Sequence, residues 1–508
     1  MSILSPKFTK AVIDEVVDAI TAGTSHYYAI ASNPAEFSGD IPDDENFDLT
    51  TYHQLTWMGL FGKKLANTDF CPMIANIPWV SNTVYDRYDN QADMANASFY
   101  IIVDPEIVGG NYLIYKCIDN ANGAAANSKP TEVQASTFTK ADGYSWRYIT
   151  SIPTATYEKF ATTDYVPIKA NTTIVASASD YASIDLVIID DGGEGYNCYH
   201  DGLIRSVTNT TVVQIDTDAS LDNNFYTRNG IYIYNDSAAT SQMRRVSAYT
   251  SNLSGNWVTL DVAANTDNIL PGVTQYRISP YVDFDTNGDS DPIAYSTVNT
   301  IVNSIASVVI LDPGVNISRA NVSIESNTTY GTGAEVRCVT PPPGGHGFNP
   351  VTELLVKGLG VSFTFANSES NTIPTNVLYN RIGLLKNPYA LTANSEKGDA
   401  YTSNTFNLLL KANVSPSHAF TVGEYVQGNT SEAIGLVAFA NSTVVHLVGD
   451  RKFSNGETIT ANSGSGAITI TSRGDCYMKD VIPMYAQNID NVDRGAGQTE
   501  GFKIIIEM

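Results

Sequence analysis

The chain has 508 residues, of which 43% are hydrophobic, 10% aromatic and only 16% charged. That is too long for one ordinary core, and its apolar content is ample for about two to four domains. With 29 basic against 53 acidic residues the formal net charge is -24. Phosphate contacts need clustered Lys and Arg, so nucleic-acid binding is excluded as an expectation; no basic run exceeds Lys63-Lys64 or Arg244-Arg245.

Asn, Thr, Ser, Tyr and Gly are abundant, a composition that suits strands and turns better than long helices. Cys71, Cys117, Cys198, Cys338 and Cys476 are odd in number, widely spaced and lack a CxxC pair. They read as reduced thiols, not as a disulfide framework. The opening MSILSPKFTKAVIDEVV carries Lys7, Lys10, Asp14 and Glu15, so it does not read as an export signal. No apolar run approaches the ~18 residues of a membrane span.

In chain order, Phe8, Val12, Ile13, Val16, Val17 and Ile20 predict an amphipathic helix over 6–22, started by Ser5-Pro6 and stopped at Gly23. Such a helix usually docks on its own core; packing on a neighbouring subunit is the alternative. A strand is expected at 27–31, then an acidic loop over 40–48. In 52–65, Leu55, Met58, Leu60 and Leu65 line a candidate second helix. Residues 79–89 (WVSNTVYDRYD) read as aromatic loop and 97–103 as a strand. The stretch 112–153 reads as a hairpin-like unit: a strand over 112–118, a polar loop containing Pro130, the tight turn Asp142-Gly143-Tyr144, and an aromatic strand over 144–149. Alternation puts Tyr144, Trp146 and Tyr148 on one face, buried in a core or across a dimer. A further strand is expected at 165–168.

From about residue 176 the character changes. The phrase over 184–196 is a strand running into a Gly-rich turn, and a related phrase returns over 305–316, as if one β module were repeated or split by an insertion. Short alternating strands lie between, at 211–215, 230–234 and 257–262. A clearer repeat follows: FTVGEYVQGN over 420–429 recurs 33 residues later as FSNGETITAN over 453–462. One such unit cannot bury its own apolar face, but two side by side can close a small barrel. The Gly-Glu pair in each copy reads as turn chemistry.

Candidate chemistry is sparse. Asp283, Asp285, Asn287 and Asp289, with Gly288, reproduce the first half of a calcium loop. The twelfth position, which should be a bidentate Glu, is Ala294, and Pro292 interrupts the approach; a solvated acidic turn is the favoured reading. His346, in PPPGGHGFNP, brings no nucleophile elbow and no partner carboxylate motif, which favours a turn and packing role. The six histidines never fall at HxH, HxxxH or HExxH spacing, so a zinc enzyme is not supported. No cofactor is expected.

The hairpin carries a resemblance. Tyr112-Leu113-Ile114-Tyr115-Lys116-Cys117-Ile118-Asp119, a variable loop, then Asp142-Gly143-Tyr144-x-Trp146-x-Tyr148-x-x-x-Ile152-Pro153 resembles the dimeric, β-rich baseplate wedge subunit of T-even-type contractile-tailed bacteriophages. Collinear phrases flank it: Trp79 with Tyr85-Asp86 and Tyr88 upstream, Arg381-Ile382 and Asn387-Pro388 downstream. Gly474-Asp475-x-Tyr477, Ile482-Pro483 and Gln498-Thr499-Glu500 follow near the C-terminus. GTGAEVRC and PPPGGHGFNP are similar to phrases in expanded wedge proteins of marine phages.

The resemblance implies a multidomain, mainly β protein of sandwich- and barrel-like modules with one N-terminal amphipathic helix. A wedge core over 1–175, 341–400 and 474–508 would carry inserted β modules at 176–340 and 401–473. It further implies a non-enzymatic virion part of the tail baseplate, assembled in the host cytoplasm. Its expected partners are a second copy and neighbouring wedge proteins, with no membrane and no nucleic acid. A carbohydrate-binding or adhesin-like tail protein is the alternative.

Overall fold

The computed structural model describes residues 5–508 apart from 38, 43–48, 135, 174–182, 236–240, 318, 326–330, 367–368 and 370–371, with the backbone alone at 49–52. Most of the acidic loop expected over 40–48, and the change of character expected near 176, lie outside the described residues. The chain is mainly β and divides into two compact units. The first is Met1–Ala75, Thr156–Pro167 and Val356–Met508; the second is Asn76–Ala155 and Ile168–Leu355. All five cysteines are buried free thiols. Among the described residues no helix is long and apolar enough to cross a membrane.

The first unit is built on two antiparallel sheets. One runs in the order Thr405–Asn407, Gly59–Lys64, Tyr27–Ser32, Val377–Lys386, Ile482–Arg494. The other runs Glu500–Glu507, Gly358–Phe365, Phe70–Ala75, Tyr165–Pro167. Tyr27–Ser32 is buried at every position, as a strand covered on both faces must be. The rings of the two sheets interlock: Phe61 meets Phe365 edge-on at 5.0 Å and Tyr379 at 5.7 Å. Such T-shaped pairs add about 0.5–1.5 kcal/mol each beyond the area they bury.

The helix Pro6–Thr21 starts at Ser5, whose Oγ accepts the Phe8 N–H at 3.3 Å, and ends before Gly23 at φ +69°. Only Thr9 and Ile13 on it are buried, and Phe8 stays 54% exposed. The second helix expected within 52–65 is corrected: a helix covers Leu49–Trp57, and Gly59–Lys64 is a strand. Leu55, Met58 and Leu65 lie at helical spacing, but the glycines decide the matter. A Cβ on Gly62 would meet the Ala29 carbonyl oxygen at 2.7 Å, so only glycine lets this strand lie so close to its neighbours.

Six strands between Leu410 and Ser472 close into a barrel around Phe420, Val426, Phe453 and Ile459. These are the equivalent apolar positions of the 33-residue repeat. Gly423 and Gly456 both take φ near +85° (+85° and +86°), each opening the turn that presents the following glutamate. The Glu424 carboxylate accepts the Thr421 N–H at 2.7 Å in its own repeat and the Ser463 N–H at 3.1 Å in the other. Glu457 does the reverse, taking Ser454 N–H at 2.5 Å at home and the Thr430 and Ser431 N–H groups at 3.0 and 2.9 Å across the barrel. Each repeat's Gly-Glu turn thus clasps the other repeat's hairpin tip. Burial opposes ionisation of both glutamates, yet these hydrogen bonds hold both below the ordinary 4.5.

Glu457 is nearly buried and also accepts the Ser431 hydroxyl at 2.7 Å. Glu457→Ala is expected to destabilise the barrel by about 2–3 kcal/mol, because it strands several donors at once. Urea unfolding of this variant beside Glu424→Ala checks it; equal losses would contradict the asymmetry in burial.

The second unit contains the hairpin sheet, ordered Tyr100–Val103, Asn111–Asn120, Tyr144–Pro153, Phe138–Thr139. Its cluster joins Tyr85, Tyr115, Cys117, Tyr144, Trp146 and Tyr148. Trp146 is fully buried, stacked on Tyr144 at 5.4 Å and edge-on to Tyr85 at 5.9 Å. The turn is fixed by Asp142, whose carboxylate accepts the Asn127 and Ser128 N–H groups, both at 2.7 Å. A seven-stranded sheet follows, in which the long strand Gln242–Asn252 pairs with Gly230–Tyr234 through its first half and Gly255–Leu260 through its second. The Gly-rich turn expected in 184–196 is corrected too: the strand Leu186–Glu194 runs through Gly192-Gly193 and pairs with Thr332–Val339.

Candidate functional site

Two polar constellations stand out, one in each unit. In the second unit, Lys116 sits mid-strand in Asn111–Asn120 between Tyr115 and Cys117, with Arg147 opposite it across the ladder. Its side chain is fully buried. The ammonium lies 3.0 Å from Glu353 Oε1 and 3.2 Å above the Tyr88 ring. Glu353 closes the one-turn helix Pro350–Glu353, which Asn349 caps. Its Oε1 also receives His346 Nδ1 at 2.6 Å, and its Oε2 accepts the Gly347 N–H at 2.7 Å. The other imidazole nitrogen, Nε2, lies 2.7 Å from Asp185 Oδ2.

A histidine with a carboxylate on each nitrogen is an imidazolium, because only the doubly protonated ring donates from both. The four side chains then sum to zero charge. Burial works against the His346 cation, but Asp185 and Glu353 outweigh it and raise the group above its ordinary 6.5. Burial also opposes the Glu353 carboxylate, yet Lys116 and His346 hold it at about 2. At Lys116 burial prevails and pulls the ammonium below 10.5, against Glu353 and Asp185. The imidazole has no nitrogen open to a substrate, and the hydrogen bonds at it run only to carboxylates. Chemically the arrangement can bind three chain segments together; it offers no nucleophile–base pair.

The sequence reading missed this quartet. The sequence puts His346 in a turn with no partner carboxylate motif, and its carboxylate partners are Asp185 and Glu353. A visible signal exists in Lys116, a charge in the apolar middle of a strand.

The second constellation is a cleft of about 1180 Å³ in the first unit. Its cations are Lys397, Arg451, Lys452, Arg473 and Lys479, against only Glu396 and Asp450. That local excess runs opposite to the chain as a whole, where acidic residues outnumber basic ones 53 to 29. Arg451 is fixed by Nε to the Leu408 carbonyl at 3.2 Å and by Nη1 to the Cys476 carbonyl at 2.9 Å. Its Nη2 is buried with no hydrogen-bond partner among the described residues. Burial pushes the guanidinium down to about 10, with Cys476 and Asp475 opposing, so it remains charged at neutral pH. Trp57 and Tyr477, both half-buried, supply an aromatic wall. Gly449, at φ +109°, lies under the Trp57 ring, where a Cβ would come within 2.7 Å of it.

The calcium-loop residues are not gathered around a point. Asp283 and Asp285 belong to the strand Val282–Thr286, paired with Ser323 and Asn321, and an extended strand lays alternate carboxylates in a line along one face. Asn287 Oδ1 accepts the Arg319 N–H at 2.8 Å, and Asp289 accepts from the Asn316 amide at 2.5 Å. Among the described residues no group of three or more His, Cys, Asp or Glu could hold a metal ion.

The resemblance residues fall in both units. Tyr85, Tyr115, Tyr144, Trp146 and Tyr148 form one cluster in the second, with Trp79 packed against it. In the first, Arg381 donates to Asn488 Oδ1 at 2.8 Å and Gln54 Oε1 at 3.1 Å. Asn387, at φ +52°, accepts the His26 N–H at 2.7 Å, and the Pro388 carbonyl accepts Tyr401 N–H at 2.8 Å. Pro483 is buried opposite Leu385, Tyr477 lines the cleft, and Gln498 Oε1 accepts the Gly495 N–H at 3.0 Å. No protein-family model matches the chain, and no curated protein matches it.

Proposed function

We propose that the chain is a non-enzymatic structural subunit of a contractile-tail baseplate wedge, assembled in the host cytoplasm, which pairs as a homodimer and binds neighbouring wedge proteins in the virion. The observation that carries the reading is the hairpin: six residues of the resemblance, scattered over 79–148, converge on one aromatic core. The signature residues therefore do packing work, as expected of a scaffold. The buried quartet and the five buried thiols leave those groups without access to a substrate. The helix Pro6–Thr21, with Phe8 54% exposed and Val12, Val16 and Ile20 half-buried, offers apolar surface for a second copy.

Size-exclusion chromatography with light scattering should give twice the 54.8 kDa chain mass. A monomer or a trimer would sink the homodimer. Co-expression with neighbouring wedge proteins and pull-down tests the partners. A glycan-binding reading has one observation of its own. Half-exposed Tyr232 stacks on Tyr234 at 4.9 Å and on Tyr295 at 5.2 Å, beside Arg277 held by Asp201. Such a ring platform can carry a sugar face, and binding on a glycan array, lost in Tyr234→Ala, together with a trimeric mass, would favour it.

A further inference from the structure

We propose that the cationic cleft of the first unit is a docking groove for an acidic, extended segment of a different protein chain. The inference stands on the cleft itself and goes beyond the assembly reading.

Three observations carry it. First, five cations converge from separate parts of the chain in a molecule of net charge -24, so the excess is local and complementary to acid. Second, Arg451 is held rigid through two of its nitrogens while the third finds no partner among the described residues. Held in this way, the guanidinium is a fixed positive charge in the cleft lining, complementary to a carboxylate on an incoming chain. Lys452 and Lys479 are exposed at the rim and have no ion-pair partner among the described residues, whereas Lys397 is already paired with Asp480 at 3.0 Å.

Third, size and lining favour a peptide over a compact anion. At about 1180 Å³ the space exceeds the ~300–1,000 Å³ of a typical small-molecule pocket. The cations are spread over a strand and several loops and interrupted by Glu396 and Asp450, which would repel a dense polyphosphate. Trp57 and Tyr477 can seat an apolar side chain between acidic ones. The small sheet of Lys397–Ala400, Tyr389–Leu391 and Cys476–Tyr477 contributes a residue to the cleft from each strand, and its outer strand Lys397–Ala400 is an edge that an extended chain can follow.

The test uses the full chain and a short fluorescein-labelled peptide rich in Asp and Glu with a central Leu, read by anisotropy. Saturable binding is expected that weakens with salt, and the variant Lys452→Glu/Lys479→Glu should weaken it at least about 10-fold. Lys169→Glu/Lys503→Glu, which makes the same change in net charge at exposed positions outside the cleft, should leave it unchanged. The proposal is overturned if the peptide does not bind, or if both double variants weaken it equally. It is also overturned if tripolyphosphate binds tighter than the peptide at the same site. If the cleft variant alters the protein's own oligomeric state, the occupant is a second copy and the proposal fails.

Discussion

Replacing Glu353 by alanine is expected to destabilise the second unit by about 3–5 kcal/mol, the loss usual when one member of a buried ion pair is removed and its partner stays charged. The carboxylate accepts from Lys116 Nζ, His346 Nδ1 and the Gly347 N–H. Without it two cations and a backbone donor remain buried with only Asp185 to answer them. Removing both ends of the pair, as in Lys116→Met/Glu353→Leu, should cost less than Glu353→Ala alone, because no bare charge is left behind. Calorimetry resolves this, since a chain of two units need not melt in one step. A shift of less than about 1 kcal/mol for Glu353→Ala would mean that the quartet does not tie its segments together.

The same quartet sets a pH dependence whose sign follows from the two directions. His346 is raised above 6.5 in the folded chain, so its contribution is complete below 6.5 and is lost as pH rises through the folded value. Glu353 is lowered from 4.5 to about 2, so its contribution is complete above 4.5 and is lost as pH falls towards 2. The second unit should therefore gain most from these two groups between 4.5 and 6.5. His346→Gln should flatten the alkaline side of that profile and also shrink the acid side, because His346 is one of the two cations that hold Glu353 low.

Period and repeat made much of this architecture legible. Apolar spacing of helical period marks Pro6–Thr21, alternation marks Tyr144–Pro153, and the 33-residue echo of Phe420 in Phe453 marks two halves that need each other to close a core. The errors came where local pattern and packing disagreed. Met58 sits at helical spacing from Leu55, yet the segment that follows, with glycines at 59 and 62, is a strand. The quartet was illegible for a different reason: Lys116 and Glu353 are 237 residues apart, and Asp185 and His346 are 161 apart. Pairings of that range leave no spacing rule, only the oddity of a lysine in the apolar middle of a strand. The cleft is harder still, because Lys397, Arg451, Arg473 and Lys479 each look like an ordinary surface charge until the chain is folded.

Trp146→Ala is expected to cost about 3–5 kcal/mol, the range for deleting a buried Trp or Phe side chain. Part of that is lost transfer free energy and part is the cavity left among Tyr85, Tyr144 and Tyr148, which can relax only partly. The neighbours are themselves pinned. The Tyr144 hydroxyl donates to the Ala124 carbonyl at 2.5 Å, and the Tyr85 hydroxyl donates to the Pro78 carbonyl at 3.1 Å and accepts the Val80 N–H at 2.6 Å, so neither ring can swing inward without giving up a hydrogen bond. Trp146→Phe keeps most of the ring stack and should lose less than half as much. The two variants separate a packing role from an interface role, since in the folded chain Trp146 is enclosed by its own unit. Light scattering of Trp146→Phe should therefore match the parent chain in mass while its melting temperature falls. If Trp146→Ala changed neither stability nor mass, the hairpin would not be the element around which its unit is organised.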